Sequence, residues 1–245
     1  MFVPEDQTIP PGLPLLMSFP RTGSHWLRMT LELYFDRPML TRHFFEHESR
    51  RMLLWHDHDK PLSLVPDGPV IYLYRNPVDV VFSELTYHHA QRAVDAPIDE
   101  VIRVAQHYRA HLRRWLLPVG LDRTPDVVLA YEWLLDRPIE ALRPAIELLG
   151  DPGEDFDEPR LRAVLDRVTP SLVVERTEYI PAVMDRAADK DRRRALFRYR
   201  HGARVLELFQ RDDELRPALD PGVLDGFPAP ETSPQGSRAL QPGDT

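Results

Sequence analysis

One stretch restricts the fold of this chain more than any other: SFPRTGSHWLRM, residues 18–29. An apolar run, LPLLMSF at 13–19, leads into it. The segment that follows, HWLRMTLELYF, places Leu27, Leu31 and Tyr34 on one helical face. A buried strand, a short polar turn with one glycine and a helix from Ser24 to Phe35 are therefore predicted in that order. The start of such a helix presents unpaired N–H groups and a positive dipole end, which attract an anion. Gly23 allows the turn to aim its N–H groups at one point. Thr22, Ser24 and His25 can add side-chain donors, and Arg21 adds a full charge. The nucleotide loop pattern G-x-x-x-x-G-K-[ST] is absent.

The layout recurs. VIYLY at 70–74 is β-branched and aromatic, as a central strand requires. In the RNPVD that follows, Asn76 suits an N-cap, Pro77 the first helical position and Asp79 the third. A helix is expected from Pro77 to about His89, with Arg75 just outside it as a second anion contact. Residues 98–115 form an amphipathic pattern, 127–130 another strand, and 139–149, 158–168 and 192–211 further helices. Residues 52–55 are a short apolar run. Strands alternating with helices predict a three-layer, P-loop-like α/β fold, with a central parallel sheet flanked by helices. Ligands of such folds bind at the carboxyl ends of the strands, where both loops fall.

A 245-residue chain that is 42% hydrophobic suits one domain, read as residues 1–215. Pro, Gly and Ser accumulate afterwards, so 216–245 is expected to be mostly irregular. The net charge of −8 argues against a nucleic-acid partner. The lack of cysteine excludes disulfides, thiolate metal sites and a cysteine nucleophile. No signal-like start or membrane-length apolar stretch is present, which gives the expectation of a soluble cytoplasmic protein without a membrane partner.

FPRTGSHW followed by YLYRNPVDVVFS resembles the cofactor signature of the PAPS-dependent sulfotransferases, [YF]-P-[KR]-[ST]-G-[ST]-x-W and then R-N-P-x-D-x-x-x-S. VVLAYEWLLDRP resembles that family's later strand and Y-E-x-L segment. The resemblance covers the first two thirds of the chain. It implies that Arg21, Thr22, Gly23, Ser24, His25 and Trp26 hold the 5′-phosphosulfate of 3′-phosphoadenosine 5′-phosphosulfate (PAPS; the product is PAP). It also implies that Trp26 helps to flank the adenine, that Arg75 and Ser83 hold the 3′-phosphate, and that Tyr131 lies near the base. Ser83 lies about 10 Å along the helix from Asn76, so its role comes from the resemblance and not from the helix dipole. Arg21 stands where the family more often has Lys; it can stabilise a leaving phosphate but cannot give up a proton near neutral pH.

The implied reaction passes a sulfuryl group to a hydroxyl or amine of a small-molecule acceptor, with a histidine as base and no metal. In LLWHDHDKP, His56 sits at the strand end and His58 nearer the proline, and the sequence leaves the two open. The family's C-terminal R-K-G clamp is missing. KDRRRALFRYRHG offers Arg193, Arg194, Arg198, Arg200 and Gly202, which read first as a solvated helix face. Lys60 and Lys190 are the only lysines. Three rival readings remain. One is a nucleotide kinase. Another is a nucleotide-binding protein without turnover, and a homodimer is left open. The third is a zinc hydrolase, because His43 to His47 spell H-x-x-E-H and His107 and His111 are four apart.

Overall fold

The computed structural model describes residues 9–89, 93–118, 121, 123–177, 187–219 and 222–223, without the side chains of 88, 89, 187 and 188. Four short strands form one parallel sheet: β1 (Leu15–Ser18), β2 (Trp55–Asp57), β3 (Val70–Tyr74) and β4 (Val127–Ala130). Their order is β2-β1-β3-β4. Met17 pairs with Asp57 on one side and Tyr72 on the other. Between β1 and β3 the chain turns outward in opposite directions, which leaves a crevice at their carboxyl ends.

Helices follow in chain order: α1 (Ser24–Phe35), α2 (Pro77–His89), α3 (Ile98–Leu116), α4 (Tyr131–Asp136), α5 (Pro138–Leu149), α6 (Glu158–Arg167), α7 (Pro170–Thr177), α8 (Ala187–Phe197) and α9 (Ala203–Gln210). Strand side chains alternate between faces. Leu15, Met17 and Tyr72 join a core with α2, α3, α8 and α9. Leu16, Ile71 and Leu73 join another with α1, α5 and α6. The result is the three-layer α/β architecture expected from the alternating pattern.

Several boundaries differ from expectation. β2 starts at the end of the apolar run and takes in His56, because His56 pairs with Leu16 of β1. The helical segment 192–211 is interrupted by a π-helical turn, Arg198–Gly202. α4 was not expected, since Trp133 and Leu135 are exposed and give no buried stripe to read. At the end of the chain, Leu219 and Val223 pack into the core, and Asn76 Nδ2 donates to the Val223 carbonyl at 2.5 Å. Packing therefore continues past the boundary expected at 215. The expected tail from 224 lies outside the described residues.

Candidate functional site

The loop after β1 turns on two left-handed residues, Arg21 (φ 70°) and Gly23 (φ 98°). A Cβ at Gly23 would sit 2.3 Å from Cε2 of Tyr131, so only glycine fits beneath that ring. Gly23 is also the N-cap of α1 and has no side chain to cap it. Leu27 N–H reaches the Gly23 carbonyl, so the N–H groups of Ser24, His25 and Trp26 precede the first intrahelical bond. Thr22 departs from expectation: its hydroxyl donates to the Phe19 carbonyl at 2.8 Å and braces the loop from within. Trp26 spends its indole N–H on the Val168 carbonyl at 3.2 Å and keeps only ring surface to offer.

After β3, Asn76 Oδ1 accepts from the N–H groups of Val78 and Asp79 and caps α2 as its position predicts. The two loops then meet. Arg21 Nε donates to Ser83 Oγ at 3.2 Å, and Arg75 Nη1 reaches the Arg21 carbonyl at 3.4 Å. Arg75 lies 4.5 Å above the Tyr131 ring. Asp79 lies 3.5 Å from Arg75, but it is also held by Arg198 at 2.7 and 2.8 Å.

A third element joins them, the 190–202 segment, through a lysine that the sequence did not single out. Lys190 of α8 is held below the usual lysine range by burial first, then by the charges of Arg194, Arg21 and Arg75. The cations of both loops and of Arg194 thus bear on Lys190. The Nε atoms of Arg75 and Arg194 are buried there without a hydrogen-bond partner. The 190–202 segment is therefore not simply a solvated face. Arg198 is committed to Asp79 and Arg200 to Asp95, and Gly202 is buried in the π turn. Lys190 and Arg194 are half-buried, and Arg194 lies 3.8 Å from Asp191. Arg193 pairs with Asp189 at 3.2 Å.

Backbone register separates the two histidines. His56 lies inside β2, is 2% exposed, and has its Nε2 3.1 Å from Ser18 Oγ. His58 follows the strand and is half-buried, with its ring 4.6 Å from that of His56. Its Nδ1 lies 2.7 Å from the Ser18 carbonyl, which can only accept. Nδ1 of His58 therefore carries the proton, and Nε2 has the free lone pair. Burial pulls its pKa below 6.5 against the opposing hydrogen bond to Ser18, so the ring is neutral at pH 7.

The other histidines singled out by the sequence are exposed or engaged by the fold. His43 is exposed, and both nitrogens of His47 face carboxylates, Glu32 Oε1 and Asp36 Oδ1, each at 2.8 Å. This engages the His47 nitrogens, one of the two imidazoles that the H-x-x-E-H reading required. His107 Nε2 bonds the Lys60 carbonyl, and His111 bonds Tyr72 and the His58 carbonyl. His25 packs edge-on against Phe44.

These rings predict an optimum of stability near pH 6.5. Burial, then nearby charges, pushes His25 down to about 3; His111 is also pushed down to about 3, chiefly by burial. The unfolded chain binds their protons first, so each is expected to cost about 1 kcal/mol at pH 5.5. Burial also pulls on His47, but hydrogen bonds to Asp36 and Glu32 outweigh it and raise its pKa. Its contribution is complete below pH 6.5 and is lost as pH rises through the raised value. Urea melts between pH 5 and 8.5 check both limbs. A flat profile below pH 6.5 would contradict the burial of His25 and His111.

A cavity of about 380 Å³ opens between α2 and α3, lined by Phe19, Glu84, Leu85, Glu100, Arg103 and His107 among others. It shares Phe19 with the first loop and borders Ser83 through Glu84. Tyr87 is half-exposed beside it, with the Arg21 guanidinium 5.1 Å from its ring. Phe44, by contrast, is buried.

Fold and site together define a parallel α/β domain with a cationic crevice at its switch point and a neutral histidine at the neighbouring strand end. No family model matches the sequence, and no curated protein matches it. Solved structures similar to the chain include two sulfotransferases. One is the sulfotransferase domain of the Synechococcus PCC 7002 olefin synthase, at 17% identity, with a TM-score of 0.43 over 81% of this chain and 98% of that one. The other is mouse sulfotransferase SULT7A1 complexed with PAP, at 14% identity, with a TM-score of 0.44 over 84% of this chain and 87% of that one. Within the described residues no helix is long and apolar enough to cross a membrane.

Proposed function

We propose that this chain is a sulfotransferase that moves a sulfuryl group from PAPS to a hydroxyl or amine of a small-molecule acceptor. One observation carries the reading: in a chain of net charge −8, Arg75 reaches the Arg21 carbonyl beside the uncapped start of α1, and the charges of Arg194, Arg21 and Arg75 bear on Lys190. Asp79 and Asp191 offset part of this positive charge, and a bound anion would neutralise more of it. The unpartnered Nε atoms of Arg75 and Arg194 fit a phosphate.

In this reading the N–H groups of Ser24, His25 and Trp26, with Arg21, hold the 5′ end of the nucleotide. Arg75, Ser83, Lys190 and Arg194 hold the 3′-phosphate. The Trp26 and Tyr131 rings flank the adenine. When bound, the nucleotide supplies a sulfuryl group on an anionic phosphate leaving group. Arg21 keeps its charge throughout and stabilises that phosphate by electrostatics alone. His58 Nε2 takes the acceptor proton while Nδ1–H stays on the Ser18 carbonyl. The cavity between α2 and α3 receives the acceptor.

Calorimetry with PAP, and transfer of labelled sulfate from PAPS into small molecules of a cell extract, test the proposal. Lys190→Ala and Arg194→Ala are each expected to weaken PAP by about 10- to 100-fold, the worth of one charge-assisted contact. Tight binding of ATP with magnesium, and none of PAP, would favour the kinase reading. PAP binding without transfer to any acceptor would leave a binding protein.

A further inference from the structure

The mechanism needs His58 in one tautomer at one place, and a neighbouring group in the fold supplies that requirement. His111 of α3 is fully buried. Its Nε2 lies 3.0 Å from the backbone carbonyl of His58, an atom that can only accept. Nε2 of His111 therefore carries the proton, and its Nδ1 is the acceptor. Tyr72 of β3, also fully buried, places its hydroxyl 2.8 Å from that Nδ1 and must donate to it. The donors of the relay run in one direction: Tyr72 O–H to His111 Nδ1, His111 Nε2–H to the His58 carbonyl, and His58 Nδ1–H to the Ser18 carbonyl, with the Ser18 hydroxyl at 3.5 Å from the same Nδ1. Ser18 and Tyr72 stand on adjacent paired strands, so the relay closes across the sheet.

We propose that Tyr72 and His111 form a buried hydrogen-bond relay that fixes the His58 backbone and so presents His58 Nε2 as the base, with His111 a positioning residue. This rests on the reading of His58 as the base. The relay touches neither acceptor nor nucleotide. It acts by holding a carbonyl whose displacement would carry the ring away from Ser18. A misplaced base loses rate and leaves nucleotide affinity alone.

The test uses the full chain and four variants. Tyr72→Phe removes only the hydroxyl, and His58→Gln removes the base. The expected result is a fall in kcat of about 10- to 100-fold for Tyr72→Phe, with the Kd for PAP unchanged. In the His58→Gln background the same change should have no further effect on kcat, which distinguishes positioning from general loosening of the core. Nitrogen-15 NMR of the wild-type chain should find His111 protonated at Nε2 and His58 at Nδ1, whatever the variants do. His111→Asn serves if Tyr72→Phe does not fold, with the same fall in kcat expected. Opposite tautomers in the wild-type chain overturn the relay. Full turnover in Tyr72→Phe beside an inactive His58→Gln overturns the relay and spares the base. Full turnover in His58→Gln overturns the base, and the relay's purpose with it.

Discussion

His58→Ala is expected to lower kcat by a factor of about 10²–10⁴, the usual worth of a positioned general base. PAP affinity should stay within twofold, because the cationic crevice is built from other residues. His56→Ala is expected to behave in the opposite way. His56 is 2% exposed and sits within the sheet between Leu16 and the Thr41 hydroxyl, which accepts from its backbone N–H at 3.0 Å. No acceptor molecule can reach it without opening β2. Its loss should reduce stability, by leaving a cavity and an unpaired Ser18 hydroxyl, while the folded fraction keeps most of its turnover. Steady-state kinetics of both variants, normalised by active-site titration with PAP, decide between the two histidines. The pH profile adds an independent criterion. Burial holds His58 below 6.5, so wild-type kcat/KM should fall only on an acidic limb under that value, and the limb should vanish in His58→Ala. A dead His56→Ala with unchanged melting, beside an active His58→Ala, would reverse the assignment.

That assignment could not be read from LLWHDHDKP. The residues that frame the cationic crevice were legible because their signals are local. Gly23 marks a left-handed turn, Asn76 and Pro77 mark a helix start, and the apolar runs before them mark buried strands. The choice between His56 and His58 depends instead on where β2 pairs with β1. The observed register buries His56 beside Leu16; pairing two residues further along would bury His58. Nothing in a single sequence states that register. Lys190 was missed for a related reason. It lies over a hundred residues from either loop, in a segment rich in exposed charge, and only the packing of α8 against α2 carries it to Arg21 and Arg75. The Thr22 hydroxyl shows the converse failure. The motif suggested a donor facing outward, whereas the turn itself needed the bond to Phe19.

The same dependence on remote packing makes Asp59 the residue whose loss should cost most in stability. Asp59→Ala is expected to destabilise the fold by about 3–5 kcal/mol, the range for breaking a buried charge pair. The Asp59 carboxylate is fully buried beneath the loop that carries His58. Oδ1 accepts from the N–H groups of Ser63 and Leu64 at 2.8 and 3.0 Å. Oδ2 accepts from Arg114 Nε at 2.9 Å and Trp115 Nε1 at 3.1 Å. Removing it strands three neutral donors and takes from the Arg114 guanidinium its carboxylate, leaving it the Leu64 carbonyl at 2.7 Å. Alanine would also have to hold the left-handed backbone (φ 37°) that aspartate and asparagine tolerate better. Asp59→Asn separates these causes. Asparagine suits the backbone and can still accept from Ser63 and Leu64, but its amide would face the Arg114 and Trp115 donors with a donor of its own. If the charge pair dominates, Asn should be nearly as damaging as Ala; if the turn dominates, Asn should recover most of the loss. Geometry favours the first outcome, since the two donors on Oδ2 come from α3, the helix that also carries His107 and His111 against this loop. Urea denaturation of both variants measures the difference. A loss below about 1 kcal/mol for Asp59→Ala would mean that the segment 57–64 is held from elsewhere, and that α3 does not set the position of His58.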